Sequence, residues 1–506
     1  MADVGETRCT VKDEPEIIII GAGISGLAAA DYLSRNGFYN FKILESSSRT
    51  GGRIWSINVE GLNGTCKAEL GANYIHGIER NPIFQLAEEN NLLALLNKNK
   101  TLSKRVVFVT EAGEQVPSKT VKEVDWCYGL LMQQCEAFFQ CGMQTPIEND
   151  SVGGFLDREM ERRLAKHDGD DQYIRRLIFK QRLAVEAMIS GADNMYEVSL
   201  GELGSYEELP GVHYAIPPGF EEVLEVLKRS IPKENFYLNH AVKNIDWQNG
   251  VQGSDGTHKS VCVECRNGKK FYADHVICTV PLGYLKSNSR ELFHPVLPEE
   301  KIEAIQRLEF GTVDKIILEF SEAIPLESDM RKLALLWDNS SIDGQDLSST
   351  WYKHIFSFDA IHENVLLGWI SGKAAQYMES LTDDEVIDAC MKVLEQFLKK
   401  DHIPRPRKIV RTKWHSNEHT KGSYTFIPVG GKVQDIETLA EPLTPPNADK
   451  PAVLFAGEAC HPSFYSSTHG ALLTGQQEAE RLVKLYTEHH SDPEPDDDSD
   501  DGGLAF

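Results

Sequence analysis

Residues 16–37, EIIIIGAGISGLAAADYLSRNG, decide how the rest of the chain is read. Four successive isoleucines leave no polar alternation, so they predict a parallel strand buried on both faces. Gly21, Gly23 and Gly26 then give G-x-G-x-x-G where that strand turns into a helix. The first glycine allows a tight turn, the second lets backbone approach a pyrophosphate, and the third lets helix pack on strand. Ile24 and Ser25 open the helix, whose first amides would face the phosphates. The next apolar run, FKILE, ends at Glu45, nineteen residues beyond Gly26. A carboxylate there can accept hydrogen bonds from an adenosine ribose diol. These features predict an α/β chain with a Rossmann-like dinucleotide-binding domain.

Directly after Glu45 comes SSSRTGGR, residues 46–53. Gly51, Gly52 and Arg53 form a second glycine-rich loop that brings a cation toward the same pyrophosphate. Nicotinamide dehydrogenases do not ordinarily need this addition, so the expected cofactor is FAD. Further along, VLFAGEA (453–459) is another apolar strand ending in glycine and acid, followed by a loop and the helical GALLTGQQEAERLVKLY. That second strand-loop-helix can also present amides to an anionic cofactor.

The 506 residues, 41% hydrophobic and 25% charged, suit two to four folded units. No apolar run is long enough to span a bilayer, and MADVGETRCTVKDE lacks the apolar core of a signal peptide, so the expectation is a cytoplasmic protein, with the nucleus as the alternative. The closing Leu504-Ala505-Phe506 is not a peroxisomal address. Ten scattered cysteines predict free thiols, and Cys262-Val-Glu-Cys265 lacks the second pair of a zinc site, so no metal is expected. A formal charge of −25 argues against nucleic acid and favours cationic ligands. The segment SDPEPDDDSDD holds seven of the acids, and the rest of the chain still carries −18.

ELGANYIHGIERNPI, residues 69–83, sets His76 between a Gly-Ala-Asn turn and an Asn-Pro pair that predicts a helix start. Position alone gives His76 no chemistry. The wider set of motifs does: ELGANYIHG, LPGVHYAIPPGF, ADHVICTVPLGYLK, FGTVDKIILEF, WHSNEHTKGSYTFIPVGG and VLFAGEACHPSFYSSTHGALLTGQQEAERL, spread from about residue 16 to about 487. On these the chain resembles the flavin amine oxidase superfamily, and within it the animal polyamine oxidases.

The resemblance implies a Rossmann-like FAD-binding domain of the GR2 type with an α+β substrate-binding domain. Residues 15–95, 230–300 and 409–488 would form the first, and 96–229 and 301–408 the second. Residues 1–14 and the acidic 489–506 would be disordered. It implies that Glu458, with Gly457, binds the ribityl-pyrophosphate part of FAD, that the Val242 backbone in HAVKNIDW holds the adenine, that the Gly71-Ala72-Asn73 turn meets the cofactor, and that amides near Ser467 and Thr468 lie by the pyrimidine end of the flavin. Lys315 would hold a water against the flavin, and His76 would face the amine, its ordinary pKa of about 6.5 suiting work near neutrality. Glu207 and Glu208 are the expected readers of a distant ammonium, Glu208 preferred. Ser423 stands where monoamine oxidases carry the cysteine that bonds flavin, which implies noncovalent FAD. Tyr424 matches one wall of their aromatic cage, while Ser467 or Thr468 replaces the other. The expected reaction is oxidation of the carbon beside a secondary amine of spermine, with oxygen reduced to hydrogen peroxide. The alternatives are an N1-acetylpolyamine oxidase, a histone demethylase-like flavoprotein, and a flavin-bound scaffold without catalysis. Oligomeric state is left open.

Overall fold

The isoleucine run forms the strand Ile17–Ile20, and its side chains alternate between two cores: Ile17 and Ile19 enter one buried cluster, Ile18 and Ile20 another. That is why the run has no polar member. The strand is central in a five-stranded parallel sheet, ordered Val453–Phe455, His275–Cys278, Ile17–Ile20, Phe41–Leu44, Phe236–Tyr237. A parallel sheet must be covered on both faces. Helices Ile24–Arg35, Glu222–Lys228 and Thr468–Thr487 supply apolar residues to one core. A four-stranded sheet, Lys270–Ala273, Val261–Cys265, Val242–Asp246 and Phe293–His294, supplies the other. The computed structural model describes residues 14–93, 105–248, 250–252, 258–327, 329–338, 346–400 and 402–487, so the expected disordered ends, Glu14 apart, lie outside the described residues.

A six-stranded mixed sheet runs Lys408–Arg411, Val313–Glu319, Val365–Ser371, Ser357–His362, Met330–Leu336, Arg105–Thr110, antiparallel except for its last pair. All seven residues of Val313–Glu319 are buried, including Asp314 and Lys315. Helices Ser118–Gln140, Val152–Leu164 and Gly169–Ser190 share one core with Phe108, Ala334 and Leu336 of this sheet. Phe220, Val223 and Leu227, expected with the substrate-binding residues, instead pack beneath the parallel sheet with Ile17; Ile302 and Ile305 likewise pack with Ile18. Apolar spacing predicts that a segment is buried and leaves open which sheet it is buried against.

Candidate functional site

Where the parallel strands end, the chain bends around a cavity of about 1090 Å³ whose lining includes Gly21, Gly23, Ile24, Ser25, Glu45, Arg53, Val242, Gly457 and Glu458. Ligands of open parallel sheets sit at this carboxyl edge. Gly26 is outside the lining and acts by packing, since a Cβ there would meet the Gly21 carbonyl oxygen at 2.0 Å. The helix Ile24–Arg35 starts after Gly23 with no side-chain cap, leaving its first amides for an anion. The two glycine loops meet here, with Gly51 N donating to Ala22 O at 2.8 Å. Glu45 is fixed by its own loop, accepting from Ala22 N, Ser47 N and Ser47 Oγ, each at 2.8 Å. Ser25 Oγ and His240 Nε2 are buried without a hydrogen-bond partner among the described residues, and both residues line the cavity. Buried polar atoms seldom stay unpaired. The free helix amides, the oriented carboxylate and these two unpaired atoms fit an adenine dinucleotide such as FAD.

Arg53 does more than offer a cation. Its Nη1 donates to Glu458 Oε1 at 2.9 Å and to Ser423 O at 2.8 Å, so the second glycine loop is tied to the last strand-loop-helix. Glu458 also accepts from Ser466 N at 3.0 Å, holding Ser466 in a left-handed conformation with φ 64°. Ser423 Oγ exchanges hydrogen bonds with Val313, accepting at 2.8 Å and donating at 3.0 Å, so its hydroxyl is fully used inside the protein. Ser467 Oγ accepts from Gly470 N at 3.0 Å and caps the helix Thr468–Thr487. Ser467, Thr468 and Tyr424 all line the cavity. The Tyr424 hydroxyl donates to Met188 O.

Residues 69–77 are gripped from two sides. Lys315 Nζ donates to Glu69 O at 2.8 Å and Gly71 O at 2.7 Å, and Trp414 Nε1 donates to Leu70 O at 3.3 Å. Gly71 must be glycine, because a Cβ would lie 1.6 Å from Arg53 O. Ala72 and Asn73 follow it in the lining. Asn81, fully buried, accepts from Ile83 N as cap of the helix Pro82–Glu89 and donates to His76 O and Gly77 O at 3.0 Å. One buried asparagine thus starts the expected helix and fixes the turn that carries His76. Pairing of Ile75 with Tyr214 sets the His76 and His213 rings 5.0 Å apart, edge to face.

Electrostatics then separate the candidates. Burial pushes Lys315 down to about 7, with Glu69 and Asp359 opposing the shift. In its neutral form the amine satisfies both carbonyls with two N–H bonds and keeps a lone pair; in its charged form it has one more proton to give. His76 is open to the cavity but walled by protein, and burial followed by the neighbouring His213 pushes it down to about 4. The shift favours the neutral ring, which can accept or donate a hydrogen bond.

Three carboxylates from separate elements line the same cavity: Glu136 on Ser118–Gln140, Glu186 on Gly169–Ser190, and Glu208. Burial, then Glu208 and Glu136, push Glu186 up to about 7, and burial followed by Glu208 raises Glu136. Glu207 and Glu208 both line the cavity and both are exposed; the Glu207 side chain, 54% exposed, reaches toward Arg80 at 3.9 Å. Sequence reasoning missed Glu136, Glu186, Trp414 and His213. The first two sit on helices rich in charge, where no spacing marks the one acid that faces inward. Tyr206 and Tyr465, 5.4 Å apart, add aromatic surface that the Ser467–Thr468 comparison with a cage did not foresee.

Residues 24–483 match the family described as flavin containing amine oxidoreductase. The chain is 35% identical to the peroxisomal N(1)-acetyl-spermine/spermidine oxidase of Bos taurus and 34% identical to that of Homo sapiens, in each case over 95% of this chain and 97% of the relative. It is 28% identical to probable polyamine oxidase 5 of Arabidopsis thaliana, over 93% of this chain and 98% of that protein.

Proposed function

Because the chain belongs to the family of flavin-containing amine oxidoreductases, with FAD as cofactor, we propose that it is a polyamine oxidase acting on a secondary amine of spermine. The observation that carries this reading is the group Glu136, Glu186 and Glu208 in a cavity continuous with the dinucleotide cradle. A desolvated ammonium needs such partners, and an aryl amine has no use for them. The parallel sheet with its glycine loops is read as a Rossmann-like FAD domain of the GR2 type. The six-stranded sheet and its helices are read as the substrate-binding domain. Ser423, with its hydroxyl committed to Val313, supports noncovalent FAD. Acid precipitation is expected to leave yellow colour in the supernatant, and colour in the pellet would refute this.

FAD, when bound, takes up the electrons and hydrogen that leave the carbon beside the amine and passes the electrons to oxygen. The protein supplies orientation and proton control. Glu208 and Glu186 hold the distal ammonium, which fixes how far the chain of the polyamine enters. His76, neutral, accepts or donates a hydrogen bond at the amine nitrogen. Lys315, poised near neutrality, exchanges a proton with water beside the cofactor. The resulting imine hydrolyses to a shorter polyamine and an aminoaldehyde. A second reading, oxidation of acetylated polyamines, is favoured by the names of the 34–35% identical relatives. Steady-state kinetics on spermine, spermidine and their N-acetyl derivatives separate the two. Preference for spermine supports the carboxylate argument, and far faster turnover of acetylspermine overturns it.

A further inference from the structure

Behind Lys315 lies a pair of acids that neither the sequence nor the proposed reaction uses. Asp314 is 0% exposed and Glu379, near the end of the helix Gly372–Ser380, is 5% exposed. Between them they hold three consecutive amides: Trp414 N donates to Asp314 Oδ1 at 3.3 Å, His415 N to Glu379 Oε1 at 2.8 Å, and Ser416 N to Glu379 Oε2 at 2.8 Å. The two carboxyl groups therefore converge on one turn of backbone. Neither forms an ion pair among the described residues. Arg411, in the strand Lys408–Arg411, spends its donors on Asp383, Met378 O and Leu381 O. Asp314 Oδ2 is buried and has no hydrogen-bond donor among the described residues. Two bare carboxylates cannot share such a site, and one proton between them removes both the repulsion and the unpaired oxygen. Burial, then the Glu379 carboxyl, raise Asp314 well above the usual carboxylate range, which puts the proton on Asp314.

The held turn leads to the cavity. Thr412 Oγ1 donates to Asp314 Oδ1 at 2.6 Å and accepts from Lys315 N at 2.8 Å. Trp414, whose amide the pair fixes, grips Leu70 O between the two carbonyls that Lys315 Nζ grips. We propose that Asp314 and Glu379 share one proton and act as a positioning pair, setting Lys315 and Trp414 against residues 69–71. This rests on the reading of Lys315 as the residue beside the flavin. It assigns the pair no contact with substrate.

The test combines infrared spectroscopy of the FAD-bound full chain, well above neutral pH, with stopped-flow reduction by spermine. Wild type is expected to show the carbonyl stretch of a protonated carboxyl that disappears in Asp314→Asn. An asparagine amide donates where the acid hydroxyl did, so Asp314→Asn should keep reduction within about two-fold of wild type, whereas Glu379→Gln turns an NH2 toward an amide that needs an acceptor and should slow reduction about ten-fold at unchanged FAD content and KM. Absence of the band in wild type, or its persistence in Asp314→Asn, overturns the shared proton. Equal reduction rates in Glu379→Gln and wild type overturn the positioning role. If spermine reduces none of the proteins, the reading of the reaction fails while the band still decides on the proton.

Discussion

In the proposed reading Lys315 carries the proton control of the site, as a buried amine held near 7, anchored to two carbonyls and lining the cavity. Lys315→Met should leave FAD bound and slow flavin reduction or reoxidation by roughly 10²-fold, the usual weight of a positioned proton carrier. Unchanged half-reaction rates in stopped-flow would remove it from the site. The carboxylates make a second test. Below about 7 Glu186 carries its proton and offers an ammonium no charge, so the KM for spermine should fall as pH rises through that value. Glu186→Gln should flatten this limb at a high KM. The linkage runs the opposite way for stability. An acid raised by burial is protonated in the fold but ionised in the unfolded chain, so its contribution to stability is lost as pH rises toward 7, and Glu186→Gln should melt higher than wild type above neutrality. A lower melting temperature there would contradict the assigned burial. Glu208→Gln should raise the KM for spermine about ten-fold or more, and less for an analogue whose distal arm is capped by acetyl, since a charge-assisted bond is worth roughly 1.5–3 kcal/mol. Equal losses on both would mean that Glu208 shapes the pocket without reading charge.

At the level of elements, the site is a meeting of short segments whose spacing is set by close backbone approach. Gly71→Ala would drive a methyl into Arg53 O, so the turn that carries Ala72 and Asn73 must move away from the second glycine loop. The variant is expected to purify with most of its FAD lost. Full FAD content at an unchanged melting temperature would show that the contact is not needed. The strands and the first helix were legible because an unbroken apolar run and three glycines have few other solutions, and the Asn81-Pro82 start was legible because a cap has a local signature. Glu136, Glu186 and the Asp314–Glu379 pair were not. The whole strand Val313–Glu319 is buried, and Asp314 points into a second polar site that only tertiary packing creates. The lowered pKa of His76 was hidden for the same reason, because it comes first from the surrounding protein and then from His213, which reaches it through a pairing of residues 75 and 214 that no local pattern announces.

Across the whole molecule, segments far apart in the chain close one cavity in which a dinucleotide cradle and a group of carboxylates are continuous. A formal charge of −25 adds a field that draws polycations toward it. Family membership gives the cofactor and the class of chemistry, and the proposed function adds the carboxylates as the readers of a polyamine. The most direct test of that combination is anaerobic mixing of the purified holoenzyme with spermine while the absorbance of oxidised flavin is followed, then admission of oxygen. The account predicts that the flavin bleaches, and that oxygen restores the colour with release of hydrogen peroxide. Flavin that stays oxidised in the presence of spermine, spermidine and their acetylated forms would contradict it.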